Sequence, residues 1–293
     1  MLRQIIVPPG IGDNIWLLQK LINQPEKFNF MLPGGQPRRG KQIFDLLPQV
    51  SASCQYSSNR RIGYGIVAKE NIQKRSSMWQ NIKDRTFFLS ANEWLEQGQR
   101  LENFLPDLET SYQVEWDSLS YADSVKASFD SYGDTSFIGI YGSSYSTTRA
   151  WNFWQEREWF ELISMIHKIN PKTTFCIIGA EWDLDLATPL ISRLQQAGIS
   201  YMNTVSQPLG YVIEIMKRLD YAFYFPSGLA ILSETLVGRK DSVMFYPPHL
   251  QSMMTKWCDP KRTEGGNFKE VQFCTPEEIF SWVKDEYKLF DKL

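Results

Sequence analysis

Arg3-Gln4-Ile5-Ile6-Val7-Pro8-Pro9-Gly10-Ile11-Gly12-Asp13 reads as a short β-rich run, a tight proline-glycine turn and a helix start, and this opening decides the fold class. The helix expected from about Asp13 places Ile15, Trp16, Leu18 and Leu21 on one face. The same unit then recurs, with a strand near Phe28–Leu32, a turn at Pro33-Gly34-Gly35, a helix over 42–47 and a strand near Ala52–Tyr56. Strands that alternate with helices imply an α/β protein built on parallel sheets.

Further along, 57–83 is polar and weakly periodic, and is expected to be a loop or short helix. A strand is expected at 86–89, after which Ser90-Ala91-Asn92-Glu93 has the form of a capping box. The helix it opens would carry Trp94, Gly98, Leu101 and Leu105 on one face and close at Pro106. The stretch 109–135 is rich in Ser, Asp and Tyr and lacks a long apolar run, so it is expected to join two domains, 1–134 and 135–293, with a boundary near Asp134.

The second half restarts with strand 137–141, a Gly-Ser-Ser loop and an amphipathic helix over Glu156–Ile169. Strand 174–178, Gly179, a helix over 183–196 and a short strand near Tyr201 follow. A helix over 210–219, strand 221–225, the turn Pro226-Ser227-Gly228, a helix ending at Gly238 and strand 242–246 continue the alternation. Thr275-Pro276-Glu277-Glu278 is a capping box with proline at the first helical position, opening a last helix that can pack back on either half.

Composition bounds the function. The 293 residues are 43% hydrophobic and 22% charged, which suits ordinary globular domains and leaves room for two of them. The formal net charge of -2 and the absence of a long basic run argue against a nucleic-acid partner; Arg38, Arg39 and Lys41 form the densest basic cluster. No apolar run reaches the length of a membrane span and the first residues lack a signal-peptide pattern, so a cytoplasmic location is expected, with peripheral membrane contact left open. Cys54, Cys176, Cys258 and Cys274 are far apart, and with only His167 and His249 they make no zinc pattern, so no metal is expected.

Open parallel sheets bind ligands beyond the carboxyl ends of their strands, where helix N-termini offer unpaired N–H groups to phosphate. Three glycine turns stand at such corners: Gly10-Ile11-Gly12-Asp13, Gly142-Ser143-Ser144 and Pro226-Ser227-Gly228. Any one of them is explained equally by the fold's need for small residues at strand-to-helix turns.

Taken in order, they resemble the heptosyltransferase family, glycosyltransferase family 9. Gly10-Ile11-Gly12-Asp13 is similar to its opening, and Gly139-Ile140-Tyr141 with the Ser/Thr loop, Arg149, Trp151, Trp154 and Trp159 to its donor-domain entrance. Ile177-Ile178-Gly179-Ala180-Glu181 resembles its next strand and turn. The segment 209–225, Ser227-Gly228, Leu236-Val237-Gly238 and the strand to Phe245-Tyr246-Pro247 are similar to its nucleotide-diphosphate corner. The resemblance implies a GT-B architecture, two Rossmann-like parallel-sheet domains facing across a cleft, with the acceptor held by the N-terminal one and the nucleotide sugar by the C-terminal one. It implies a metal-independent, inverting sugar transfer to a hydroxyl of a glycan or glycolipid acceptor in surface-glycan or lipopolysaccharide biosynthesis, with no cofactor.

Carried over by position, the resemblance makes Asp13 the general base that takes the acceptor's proton, with Gly10, Gly12 and Asn14 as the acceptor-side loop. The competing reading of Asp13 is that it caps the following helix. On the donor side, Ser227 and Gly228 would offer N–H groups to the leaving diphosphate and Arg149 a planar cation. Ser143, Ser144, Thr147 and Thr148 would add hydroxyl donors, and Gly179 with Glu181 would reach a ribose hydroxyl. The tryptophans are expected to be core and lid packing rather than sugar platforms.

The chain also departs from the family pattern, with Pro226 where many members have Asp and Ile231 where they have His, and without the usual lysine in the Ser/Thr loop region. These departures leave the donor open and keep two other readings alive. One is a nucleotide-sugar-binding relative without catalysis, marked by binding without turnover. The other is an enzyme glycosylating modified DNA bases, which the near-neutral charge disfavours.

Overall fold

The computed structural model describes residues 3–7, 11–23, 28–32, 42–47, 52–56, 85–87, 109–118, 120–142, 154–237, 241–246, 268–272 and 275–286. The expected helix after Ser90, the Ser/Thr loop with Arg149 and Trp151, and His249 lie outside these residues. Two compact units divide the chain: 1–117 with 253–262, and 118–252 with 263–293.

In the first unit β1 (Arg3–Ile6), β2 (Phe28–Leu32), β3 (Ala52–Tyr56) and β4 (Arg85–Phe87) form a sheet in the order β3-β2-β1-β4, parallel at every pairing. The helix α1 (Ile11–Leu21) follows β1, and a helical turn at 42–45 follows β2. Ile15, Leu17 and Leu18 of α1 are fully buried, as is Ile43, so both helical pieces belong to the core of this unit. The chain leaving the unit is stitched to it by Ser111 N–H donating to the Gln19 carbonyl and Asp117 N–H to the Leu46 carbonyl, at 2.7 and 2.9 Å.

The second unit holds α2 (Ala122–Asp130), β5 (Ser136–Tyr141), α3 (Glu156–Ile169), β6 (Thr173–Gly179), α4 (Leu184–Gln196) and β7 (Tyr201–Val205). It continues with α5 (Leu209–Arg218), β8 (Tyr221–Tyr224), α6 (Gly228–Thr235), β9 (Asp241–Tyr246), β10 (Phe268–Gln272) and α7 (Pro276–Ser281). The sheet order is β10-β9-β8-β5-β6-β7, all parallel. Numbered from its own first strand, this is the doubly wound order 3-2-1-4-5-6, and the first unit shows the beginning of the same order.

Near-continuous apolar runs such as Thr-Thr-Phe-Cys-Ile-Ile-Gly in β6 are what a strand buried on both faces requires, and every residue of β6 is buried. One face carries Ile138, Ile140, Phe175, Ile177, Tyr221, Phe223, Val243 and Phe245 against Trp159, Leu162 and Ile166 of α3, Leu190 and Leu194 of α4, and Ile279 of α7. On the other face Phe129 of α2 meets Phe137 of β5, with ring centroids 4.2 Å apart. Cys176 is buried in the middle of the sheet, and that burial pushes its thiol far above the ordinary range, so it stays protonated and unreactive.

The unit break at Asp117/Ser118 precedes the boundary expected near Asp134, because the segment read as a connection contains α2. Only Val125 and Phe129, one turn apart, are buried in α2, too sparse a pattern to stand out in a polar stretch. Its neighbour in the fold is α5, where a Cβ on Gly210 would come within 2.8 Å of the Ser118 carbonyl oxygen and 3.2 Å of the Tyr121 ring. Gly210 therefore permits the entering chain to lie against the start of α5. Gly210→Ala is expected to lower stability by about 1–3 kcal/mol, the usual range for overpacking, as read by chemical denaturation. A loss below about 0.5 kcal/mol would show that Ser118 is not held there.

The last helix packs on α3 of the second unit, and its Ile279, with Val283 just beyond its end, is fully buried in the core of that unit. Its expected capping box is present: Glu278 N–H donates to Thr275 Oγ1 at 3.3 Å and Thr275 N–H to Glu278 Oε2 at 2.9 Å, with Pro276 opening the helix. Strand β10 was not expected from the sequence. It lies at an edge of the sheet, where Phe-Lys-Glu-Val-Gln lacks the apolar run of the central strands.

Edge strand β7 is protected by side chains. Tyr132 Oη donates to the Tyr201 carbonyl at 3.0 Å, and Val205 N–H donates to Asn203 Oδ1 at 3.1 Å. Ser200 O and Ser206 N are bonded inward to β6, so residues 201, 203 and 205 turn their backbone groups outward, and these two bonds occupy part of that row.

Candidate functional site

The chain runs outward from β5 to β6 and β7, then returns to the other side of β5 with β8, β9 and β10. The strand order reverses between β5 and β8, and the crevice beyond their carboxyl ends is where doubly wound sheets take ligands. Both strands end in aromatic residues: Tyr141 and Tyr224 are buried, with ring centroids 6.5 Å apart. Phe225 N–H donates to the Tyr141 carbonyl at 3.2 Å, holding the two strand ends together.

From β8 the chain passes Phe225 and Pro226 to Ser227, which is the N-cap of α6. Ser227 has extended backbone, and its Oγ accepts from Ala230 N–H at 3.2 Å, which is why serine suits the position. Residues 226–229 are only partly buried, so the first N–H groups of α6 are at the surface of the unit next to the switch point. Ile231, one turn in, is buried at 7% exposure and serves the core.

From β5 the chain reaches Gly142, whose carbonyl accepts a hydrogen bond from the Trp159 indole at 3.2 Å. Trp154 and Trp159 are core residues, at 1% and 0% exposure, packed with Phe225 and Phe245. The packing reading of these two tryptophans is therefore the one found. Ser143, Ser144, Thr147 and Arg149 lie outside the described residues.

At the end of β6, the Gly179 carbonyl accepts from Ser206 N–H at 2.9 Å. A Cβ on Gly179 would sit 3.0 Å from the Cβ of Asp183. Asp183 Oδ2 accepts from Ala180 N–H at 2.7 Å, so this acid closes the turn that follows the strand. The helical turn Glu181–Asp183 presents Glu181 as an exposed carboxylate beside the end of β6, on the β6 side of the switch point. Among the described residues no group of three or more His, Cys, Asp or Glu side chains is placed to hold a metal ion.

In the first unit α1 begins at Ile11, two positions earlier than the sequence reading places it. Gly12, Asp13 and Asn14 therefore lie in the first turn of the helix rather than in a loop before it, and Gly10 lies outside the described residues. Asp13 is inside the first turn of the helix rather than at its N-cap, and it is partly exposed just after β1. Asn14 is buried at 0% exposure, held within the unit rather than offered at its surface. A carboxylate in the first turn is favoured by the helix dipole.

Two all-parallel α/β units, one of them with the complete doubly wound strand order and a serine-capped helix at its switch point, define a protein of the Rossmann-like class. Among solved structures its fold matches E. coli ADP-heptose lipopolysaccharide heptosyltransferase II, with a TM-score of 0.64, 11% identity, and 99% of each chain covered. It also matches a glycosyltransferase family 9 protein from Veillonella parvula, with a TM-score of 0.60, 11% identity, and 99% of this chain and 93% of that one covered. A third match is the E. coli heptosyltransferase WaaC with ADP, at a TM-score of 0.53, 12% identity and 98% of each chain covered. The α/β fold with parallel sheets that the resemblance implied is observed in each unit. No protein-family model matches the sequence, and no curated protein does. No helix among the described residues is long and apolar enough to cross a membrane.

Proposed function

We propose that this chain is a glycosyltransferase that moves a sugar from a nucleotide-diphosphate sugar to a hydroxyl of a glycan or glycolipid acceptor, with the two units arranged in the GT-B manner. The observation that carries the reading is the fold match to heptosyltransferase II, which spans 99% of both chains and so includes both units. The second unit takes the nucleotide at its switch point, in the way this sheet order favours.

The leaving nucleoside diphosphate gains negative charge as the glycosidic bond to the donor breaks. Ser227 and Gly228 aim the first N–H groups of α6 at it, where they act without reorganising. Gly179 and Glu181 belong to the nucleoside side of the same pocket, with Ser143, Ser144, Thr147 and Arg149 completing the phosphate contacts. In the first unit Asp13 accepts the proton of the acceptor hydroxyl as its oxygen attacks the anomeric carbon from the face opposite the leaving phosphate, which inverts that carbon. Transfer needs neither metal nor cofactor in this reading, and the location is cytoplasmic.

The test is thermal unfolding with excess ADP, GDP, UDP and CMP in turn. A ligand at about 100 times its Kd adds roughly 2.7 kcal/mol of stability, a readily measured rise in the midpoint. One nucleoside diphosphate is expected to raise the midpoint, ADP being the first to try because it accompanies WaaC. No response to any of the four would overturn the donor reading. Binding without sugar transfer to any acceptor would favour the non-catalytic relative suggested by Pro226 and Ile231.

A further inference from the structure

We infer that Trp159 is a positioning residue for the corner where β5 and β8 end, holding the walls of the nucleotide site in register through its indole N–H. The inference rests on the donor-binding reading of that corner.

The indole of Trp159 rises from α3 and is fully buried. Its Nε1–H donates to the Gly142 carbonyl at 3.2 Å, one residue past the end of β5. Residue 142 is suited to this contact only as glycine. A Cβ there would lie 2.6 Å from Nε1 and 2.9 Å from Cε2 of the same indole, and 3.1 Å from Leu186 Cδ2. Neither indole atom belongs to a flexible end that can swing away, so the glycine and the tryptophan require each other.

The same ring packs on Phe225 with centroids 5.0 Å apart. Phe225 donates its N–H to the carbonyl of Tyr141, the neighbour of Gly142, and is separated from the N-cap Ser227 by Pro226 alone. One rigid side chain therefore fixes the path of the chain as it leaves β5 and supports the residue from which the chain approaches α6. Core volume alone would be nearly met by phenylalanine, but among apolar aromatic side chains only tryptophan carries an N–H donor. Without it the buried Gly142 carbonyl loses its partner, and the backbone must turn to find another. Small shifts of aimed groups are enough to weaken binding of a diphosphate that depends on them.

The experiment compares wild type, Trp159→Phe and, as a control for stability alone, Leu190→Ala. Leu190 is fully buried in the same core on α4, but it belongs to neither strand end and takes no part in the hydrogen bonds that join them. Each protein is titrated calorimetrically with ADP, GDP and UDP, and KM and kcat are measured with whichever nucleotide sugar supports turnover. Both variants are expected to unfold at lower temperature. Trp159→Phe is expected to bind the nucleotide about tenfold more weakly, the scale of one well-placed hydrogen bond, and to raise KM by a similar factor with kcat within about twofold. Leu190→Ala should bind as wild type does.

Wild-type affinity in Trp159→Phe would overturn the inference while leaving the donor reading intact. An equal loss of affinity in Leu190→Ala would do so too, because the effect would then follow stability rather than position. No binding of any of the three by wild type would overturn the donor reading itself, and this inference with it.

Discussion

Asp13→Asn is expected to lower the rate of sugar transfer by about 10² to 10⁴, the usual contribution of a general base. That is roughly 2.7–5.4 kcal/mol of transition-state stabilisation, at 1.36 kcal/mol for each factor of ten. Asn keeps the shape of the side chain and removes its ability to accept a proton, so the change separates chemistry from packing. Asp13 lies in the first turn of α1, where loss of a negative charge costs about 0.3–1 kcal/mol of helix stability. The variant should therefore remain folded, and nucleotide affinity, assigned to the other unit, should be unchanged. The measurement is kcat with saturating donor and acceptor beside a nucleotide titration. Activity within a few-fold of wild type would end the base assignment and leave Asp13 a structural residue of the first turn of α1.

Phe245→Ala is expected to produce the largest loss of stability, about 3–5 kcal/mol, as for buried aromatic residues cut to alanine. Phe245 is fully buried, and its ring centroid lies 4.9 Å from Trp154, 5.3 Å from Trp159 and 4.9 Å from Phe225. Removing the ring takes away edge and tilted contacts to all three at once and leaves a cavity lined by rigid rings that collapse poorly. Against a total of about 5–15 kcal/mol for a domain, this is a large fraction. Val237, at 42% exposure, is the matched comparison: Val237→Ala should stay within about 0.5 kcal/mol of wild type. Urea denaturation of the two variants decides the matter, and equal midpoints would show that the four rings do not form a closely packed cluster.

Much of the second unit was legible because its elements signal themselves locally. The spacing of Trp159, Leu162, Ile163 and Ile166 predicts a helix over Glu156–Ile169, the bounds observed, and all four are buried. Thr275 and Glu278 announced the last helix through a cap made between residues three apart. Strands β5, β6 and β8 were apolar enough to be placed within a residue or two, because both of their faces are covered. Elements with a weak apolar pattern escape the sequence reading: α2 buries only two residues, and the edge strand β10 has the sequence Phe-Lys-Glu-Val-Gln.

The candidate site was legible in part. Ser227 could be read as the start of a helix after a strand, and its side chain does cap that helix. The sequence places the start of α1 two residues late, because Gly-Ile-Gly looks like a turn, and a glycine's helical or turn conformation is decided by what packs around it. The role of Trp159 at the strand ends carried no sequence signal. Its partner Gly142 is seventeen residues away, and an indole that donates to a carbonyl has the same local spacing as one that only fills the core.

Local sequence is enough to set the alternation of strands and helices, and hence the α/β class, because hydrophobic period, caps and turn residues act over a few positions. The order of the strands, the switch point between β5 and β8, the break at Asp117/Ser118 and the meeting of Trp159 with Gly142 were decided only by the tertiary structure. These depend on which distant surfaces pack together, and the energy that selects among them resides in contacts between segments rather than within any one of them.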